Sequence, residues 1–113
     1  MHALTSTQDY ELVVTEQEIA ITPKAPPNFN TSTNYLGLAH QIPEHLKVTV
    51  DCSNFGYIDS TGIGTLIMFR QELKQKACPI TLRNLAPAVK QVFKVANMHM
   101  LFHIVDESSL EQE

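Results

Sequence analysis

Residues 57–69 read YIDSTGIGTLIMF, and this stretch decides how the chain is organised. Asp59, Ser60 and Thr61 stand between a strand-like run and a helix-like run, where a helix N-terminus is expected. Asp59 or Ser60 can cap the first helical turn through a side-chain oxygen. The amide groups of that turn also favour an anion, so a phosphate carried by the adjacent hydroxyl is a second interpretation.

Two glycines in the same stretch strengthen the second interpretation. Gly62 and Gly64 each cost a helix about 1 kcal/mol relative to alanine, which suggests a requirement beyond helix stability. Without side chains there, a partner or ligand can approach the backbone closely. A phosphate on Ser60 would add about −1.5 to −2 charges beside Asp59 and repel an acidic or apolar partner surface. Capping alone remains an alternative reading of the motif.

The composition is that of one globular domain. The chain has 113 residues, 43% hydrophobic and 18% charged, and we expect a single domain over 1–113 with residues 1–9 loosely held. The net charge of −4 argues against a nucleic-acid-binding surface. Cys52 and Cys78 are too few for a disulfide framework and are predicted to be buried. No signal-like or membrane-spanning run occurs, so we expect a cytoplasmic protein without direct membrane contact.

The hydrophobic patterns predict an α/β fold of the order β-β-α-β-α-β-α-β, a mixed sheet with helices packed on it. The expected strands lie within residues 10–22, at 47–52, at 80–82 and at 102–105, and the helices span 34–42, the segment after Ser60, and the segment from Pro87. One apolar stripe of the second helix is expected to continue to Ala77. In the third helix, Val89, Val92, Phe93 and Ala96 repeat at helical spacing, and Asn97 is a plausible left-handed stop. Met98, Met100, Leu101 and Phe102 fit core packing better than a partner surface.

The sequence offers little material for catalysis. His99 and His103 lie across a predicted helix end and strand entry, so ligation of a metal ion through one helical face is not expected. Ser60 has no histidine base nearby in sequence, and no phosphate-binding loop or dinucleotide fingerprint occurs. We therefore expect neither an enzyme nor a bound cofactor.

Two longer segments resemble a known family. VTVDCSNFGYIDSTGIGTLIMF (residues 48–69) and NLAPAVKQVFKVANMHMLFHIVDE (residues 84–107) are similar to bacterial STAS domains of the anti-sigma factor antagonist type. The resemblance covers residues 47–106 and implies a small mixed sheet backed by helices. It further implies binding to a serine-kinase anti-sigma factor, phosphorylation of Ser60 by that kinase, and reversal by a metal-dependent (PP2C-type) serine phosphatase. ATP and magnesium would belong to the kinase.

The same resemblance implies a contact rim and one departure from the family pattern. Asp59, Ser60, Thr61, Gly62 and Ile63 would form the rim, with Asn30 and Thr31 as neighbours. Family members commonly carry an aspartate near the acceptor where this chain has Asn30 in PNFNTST. A STAS adaptor that does not switch, such as a lipid-transporter subunit or a scaffold component, therefore stays as the alternative. Whether the chain forms a homodimer is left open.

Overall fold

The structure is a computed structural model that describes residues 3–105. Its six strands form one sheet whose spatial order is the order of the chain. The strands are β1 (Ala3–Ser6), β2 (Tyr10–Val14), β3 (Glu18–Pro23), β4 (Lys47–Asp51), β5 (Ile80–Arg83) and β6 (His103–Val105). β2 runs antiparallel to β1 and β3, and β3 to β6 are parallel. The predicted mixed sheet is confirmed.

Helices fill the three parallel crossovers. They are α1 (Ser32–Gln41), α2 (Ser60–Gln75) and α3 (Pro87–Val95). Each of the three connections leads to the adjacent strand on the same side. Right-handed connections of this kind place all three helices on one face of the sheet. The residues that this face buries form two cross-strand rows, Ile19–Val48–Ile80 and Ile21–Val50–Leu82. The sheet therefore places the carboxyl ends of β3, β4 and β5 side by side at one edge.

The N-terminal segment is more ordered than the sequence indicates. Residues 1–9 were expected to be loose, but Ala3–Ser6 forms an edge strand in which Thr5 pairs with Leu12. An edge strand is held by backbone hydrogen bonds to one neighbour, so it needs no apolar side-chain pattern to form. The turn into β2 is fixed by Thr7, whose hydroxyl accepts hydrogen bonds from the amides of Asp9 and Tyr10.

The central strand β4 buries three consecutive residues. Val48, Thr49 and Val50 are all buried, although the pattern of the sequence placed Thr49 opposite the two valines. On the face opposite the helices, Thr49 lies between its register partners Ala20 of β3 and Thr81 of β5, and these neighbouring strands shield it on both sides. Cys52 follows the strand directly and is buried, as is Cys78, which confirms the prediction for both thiols.

The end of α2 differs from its prediction. The helix ends at Gln75, and Ala77 is exposed with a left-handed φ of 57° instead of lying on the apolar stripe. The amide of Cys78 donates to the Leu73 carbonyl at 3.0 Å and that of Ala77 donates to the Lys74 carbonyl at 3.1 Å. This pair of bonds is the Schellman motif, which stops a helix by reversing its last turn.

The side chain of Lys76, the C-cap residue of α2, caps the C-terminal end of α1. Its ammonium group donates to the carbonyl oxygens of Ala39, His40 and Ile42 at 2.7, 2.8 and 2.7 Å. Ala39 and His40 lie in the last turn of α1 and Ile42 is its C-cap residue, so none of the three carbonyls has a helical amide four residues further on. The Ile42 amide also donates to the Ala39 carbonyl at 3.3 Å. Ile42 is extended, as expected before Pro43. One lysine thus joins the C-terminal ends of α1 and α2.

The last third of the chain follows its prediction in part. Val89 and Phe93 are buried, but Val92 and Ala96 are exposed. Val92 lies outside the narrow buried face of α3, and Ala96 follows the end of the helix at Val95. Asn97 has a φ of 59°, which confirms the left-handed stop. In the segment that follows, Met98 and Phe102 lie in the core, whereas Met100 is 75% exposed and is wrongly assigned to the core by its sequence context.

Candidate functional site

The candidate site lies where the chain leaves β4 and enters α2. Asp59 is the N-cap residue of α2, and its Oδ1 accepts a hydrogen bond from the Gly62 amide at 2.9 Å. Asp59 has an extended backbone, with φ −110° and ψ −177°, as capping residues typically do. Of the two predicted capping residues, the structure selects Asp59. Its carboxylate is therefore engaged in holding the helix start.

The two hydroxyl residues after Asp59 are at the surface. Ser60 and Thr61 are the first two residues of α2, and both are exposed. Ile63 is half-buried and packs against the core. Four of the five predicted rim residues, Asp59, Ser60, Thr61 and Ile63, are accordingly present at the surface or at its border.

Gly62 is not part of that surface. A Cβ at Gly62 would lie 2.7 Å from the carbonyl oxygen of Pro27 and 2.8 Å from Cγ1 of Ile58. The missing side chain serves contact within the molecule, and Gly62, unlike the other four predicted rim residues, is buried. Gly64 lies in the next turn and is exposed, and a Cβ there would meet nothing within 4 Å. Of the two glycines, Gly64 therefore leaves the helix surface open to an approaching backbone.

The loop before α1 forms the other side of the site. The side-chain oxygen of Asn28 accepts hydrogen bonds from the amides of Asn30 and Thr31, at 2.8 and 3.2 Å. The Thr31 hydroxyl accepts a bond from the Asn28 amide at 3.0 Å, which closes the turn. Asn30 is exposed and Thr31 is half-buried. The contact between this loop and α2 is made by buried Pro27, and Asn30 and Thr31 follow three and four residues later in the same loop.

Side chains at the strand ends hold the loop between β4 and α2. The Asn54 side-chain amide donates to the Pro23 carbonyl at 3.0 Å, and that of Asn84 donates to Asp51 Oδ1 at 3.2 Å. Partial burial by itself would raise the pKa of Asp51, but hydrogen bonds from Ser53 and Asn84 and the charge of Arg83 lower it overall. The sequence interpretation missed these residues, although Asp and Asn directly after strands are a recognised signal for such turns.

The two chain segments that border Ser60 carry little charge and two exposed aromatic rings. Within residues 25–31 and 53–64 the single charged side chain is Asp59. Phe29 is 80% exposed and Tyr57 is 68% exposed. No periodic pattern marks either ring, because each stands in a loop, and neither was predicted as a site residue.

Residues 3–105 contain no group of three histidine, cysteine, aspartate or glutamate side chains arranged to hold a metal ion. His99 lies in the 3₁₀ turn Met98–Met100, and His103 begins β6. None of the helices in this part of the chain combines the length and apolarity needed to cross a bilayer.

Comparison with known proteins identifies the family. The family model described as "Mlab, STAS domain" matches residues 34–106, which is more than half of the chain. The chain belongs to the STAS domain family. The match begins before the predicted stretch of 47–106 and includes α1 from its third residue onward.

One curated relative is a STAS-domain-containing protein from Pseudomonas aeruginosa strain UCBPP-PA14. It is 31% identical over 58 residues, which are 51% of this chain and 57% of that protein. The match thus spans a little over half of the relative's length.

Solved structures share the STAS fold at low sequence identity. The protein TM1081 from Thermotoga maritima superposes with a TM-score of 0.75 at 14% identity, covering 91% of this chain and 92% of that one. The unphosphorylated anti-sigma factor antagonist SpoIIAA gives 0.65 at 16% identity over 97% and 92%, and its phosphorylated form gives 0.56 at 15% over 99% and 97%. The STAS domain of a SulP transporter from Vibrio cholerae gives 0.62 at 18% identity over 79% and 74%.

Proposed function

We propose that this STAS domain is an anti-sigma factor antagonist whose binding is switched by phosphorylation of Ser60. The observation that carries the proposal is the exposed Ser60 hydroxyl at the first position of α2, directly after the capping Asp59. In this function the unphosphorylated domain binds a serine-kinase anti-sigma factor in the cytoplasm and so releases a sigma factor. The domain is the substrate of the kinase and does not itself catalyse the transfer.

The charge of the site explains how one phosphate would act as a switch. Residues 25–31 and 53–64 carry a single charge, that of Asp59, so a phosphate would change the summed charge of these segments from −1 to about −2.5 to −3. A partner surface that matches a nearly neutral rim loses this match through repulsion and desolvation. The amides at the start of α2 favour the phosphate itself, which allows the modified domain to stay folded.

Direct phosphorylation of the purified chain tests the proposal. Each serine-kinase anti-sigma factor of the source organism is incubated with the chain, ATP and Mg²⁺, followed by phosphopeptide mapping and measurement of complex formation. We expect phosphate on Ser60, loss of the complex on phosphorylation, and recovery after treatment with a PP2C-type phosphatase. Ser60→Ala abolishes the modification. Thr61→Ala, the adjacent exposed hydroxyl, is the matched control and retains it.

A second candidate is a constitutive adaptor of a transporter. It is favoured by the Mlab description of the matching family and by the likeness to the SulP transporter domain. Asn30, in a loop where 24–33 contains no carboxylate, also departs from the pattern of the switching members. Failure of every kinase to modify Ser60, together with a stable complex with a transporter ATPase that Ser60→Ala leaves intact, would replace the switch by this adaptor function.

A further inference from the structure

The distribution of aromatic side chains singles out two residues. Among the eight aromatic residues, the six others are buried or half-buried, and only Phe29 and Tyr57 are exposed. Both occupy the loops that border Ser60. Large aromatic rings in water lose the free energy that burial would provide, and they are the residues most enriched among the energetic centres of protein interfaces.

The structure holds the two loops together at the start of α2. The Pro27 carbonyl oxygen lies only 2.7 Å from the position that a Cβ of Gly62 would take, so the loop that carries Phe29 is in direct contact with α2. Phe29 is two residues from Pro27, and Tyr57 is two residues from Asp59. Two residues span at most about 7 Å, so the backbone positions of Phe29 and Tyr57 both lie close to the start of α2, within reach of one partner surface of about 800 Å².

Neither ring is needed for the fold of its loop. The turn around Phe29 is closed by Asn28 and Thr31, with additional support from the Ser32 hydroxyl, which donates to the Phe29 carbonyl at 3.2 Å. These bonds use the backbone at position 29 and leave the phenyl ring outside. On the other loop, it is the neighbours of Tyr57, Phe55 and Ile58, that are buried in the core.

We propose that Phe29 and Tyr57 are the binding anchors of the domain, and that they insert into apolar pockets of the anti-sigma factor on either side of Ser60. This inference rests on the proposed function and assigns separate roles within it. The two rings contribute the affinity for the anti-sigma factor, and phosphorylation of Ser60 determines whether the complex forms. Because residues 25–31 and 53–64 carry only the charge of Asp59, these two segments add little salt dependence to the anchored complex.

The test measures dissociation constants with the kinase that phosphorylates Ser60 in the preceding experiment. Wild type is compared with Phe29→Ala, Tyr57→Ala and the double variant at 50 and 500 mM salt, on the unphosphorylated chain. Met100→Ala and Val95→Ala are matched controls, since these side chains are 75% and 76% exposed. Both belong to the segment between the end of α3 and the start of β6, at the opposite edge of the sheet.

We expect each single variant to weaken binding at least about tenfold and the double variant about a hundredfold, with the controls within about twofold. All variants should keep the thermal unfolding midpoint of wild type, because the substituted side chains are exposed. Binding of the double variant as tight as that of the controls would overturn the anchors and leave the proposed function standing. If no kinase binds wild type, or if a transporter ATPase binds in its place, the proposed function and this inference both fall.

Discussion

Gly62 and Gly64 lie at the start of α2, separated by Ile63, and differ in how closely other atoms approach them. The first faces the backbone of the Pro27 loop, and the second faces solvent. A backbone carbonyl cannot rotate away as a side chain can, so a methyl group at Gly62 has to push the loop or the helix aside. The same methyl group at Gly64 occupies free space and lowers the entropy of the unfolded chain.

We therefore predict opposite effects for two identical substitutions. Gly62→Ala should lower the free energy of unfolding by about 1–3 kcal/mol through overpacking. Gly64→Ala should raise it by about 1 kcal/mol through helix propensity. Urea unfolding followed by circular dichroism measures both, and each variant serves as the control of the other. Equal effects of the two substitutions would contradict the assignment of Gly62 to internal packing.

At the residue scale, the sequence predicts what depends on neighbours along the chain. Asp59 and Ser60 directly before an apolar helix predict a capped helix start, and the structure selects Asp59 as the cap. The role of Gly62 depends on Pro27, which is distant in sequence and is brought to α2 only by the fold. The exposure of Phe29 and Tyr57 is likewise unpredictable, since an aromatic residue in a loop is as compatible with the core as with the surface.

At the scale of elements, the end of α2 shows a helix stop made without glycine. Ala77 occupies the left-handed position of the Schellman motif, where a Cβ is unfavourable by about 1–2 kcal/mol. The buried Cys78 and the following Pro79 fix the chain in this conformation. An alanine at this position reads as helical in the sequence, which is why the apolar stripe of α2 was extended too far.

Ala77→Gly is predicted to stabilise the protein. Relief of the left-handed strain exceeds the entropy that glycine adds to the unfolded chain, for a net gain of about 0.5–1 kcal/mol in the free energy of unfolding. The measurement is the urea midpoint at constant m-value. Ala88→Gly, at an exposed position inside α3, is the control and should be destabilising by about 1 kcal/mol. A loss of stability in Ala77→Gly would argue against the left-handed geometry.

At the scale of the whole molecule, burial of Cys52 in the core couples stability to alkaline pH. Burial is the larger cause and the charge of Asp51 the smaller one; together they raise the pKa of Cys52 to about 12 from its ordinary 9.0. The thiol is neutral in the folded protein up to about pH 12, whereas the unfolded chain loses this proton above pH 9. Above pH 9 the unfolded state thus binds fewer protons, and the free energy of unfolding falls as pH rises.

We predict that this group lowers the free energy of unfolding by about 1.4 kcal/mol between pH 8 and pH 10. Burial also raises the pKa of Tyr35, but the ordinary value of tyrosine is 10.0, so its effect begins at higher pH. Urea unfolding at pH 8, 9 and 10 measures the slope. Cys52→Ala should reduce the fall over this range to the smaller part that Tyr10 and Tyr35, whose pKa values are also raised, contribute towards pH 10. A slope equal to that of wild type would show that another group is responsible.

The contacts that hold α1 and α2 together have a consequence for the rate of association with a partner. Lys76 joins the C-terminal ends of the two helices. The contact between Pro27 and Gly62 holds the loop before α1 against the N-terminal end of α2. The two loops that flank Ser60 are thereby presented in a fixed relative position before any partner arrives. A preorganised surface loses little conformational entropy on association. Encounters with a partner are then limited by diffusion and orientation rather than by refolding, and a chemical change at Ser60 alters the surface while the frame beneath it stays the same.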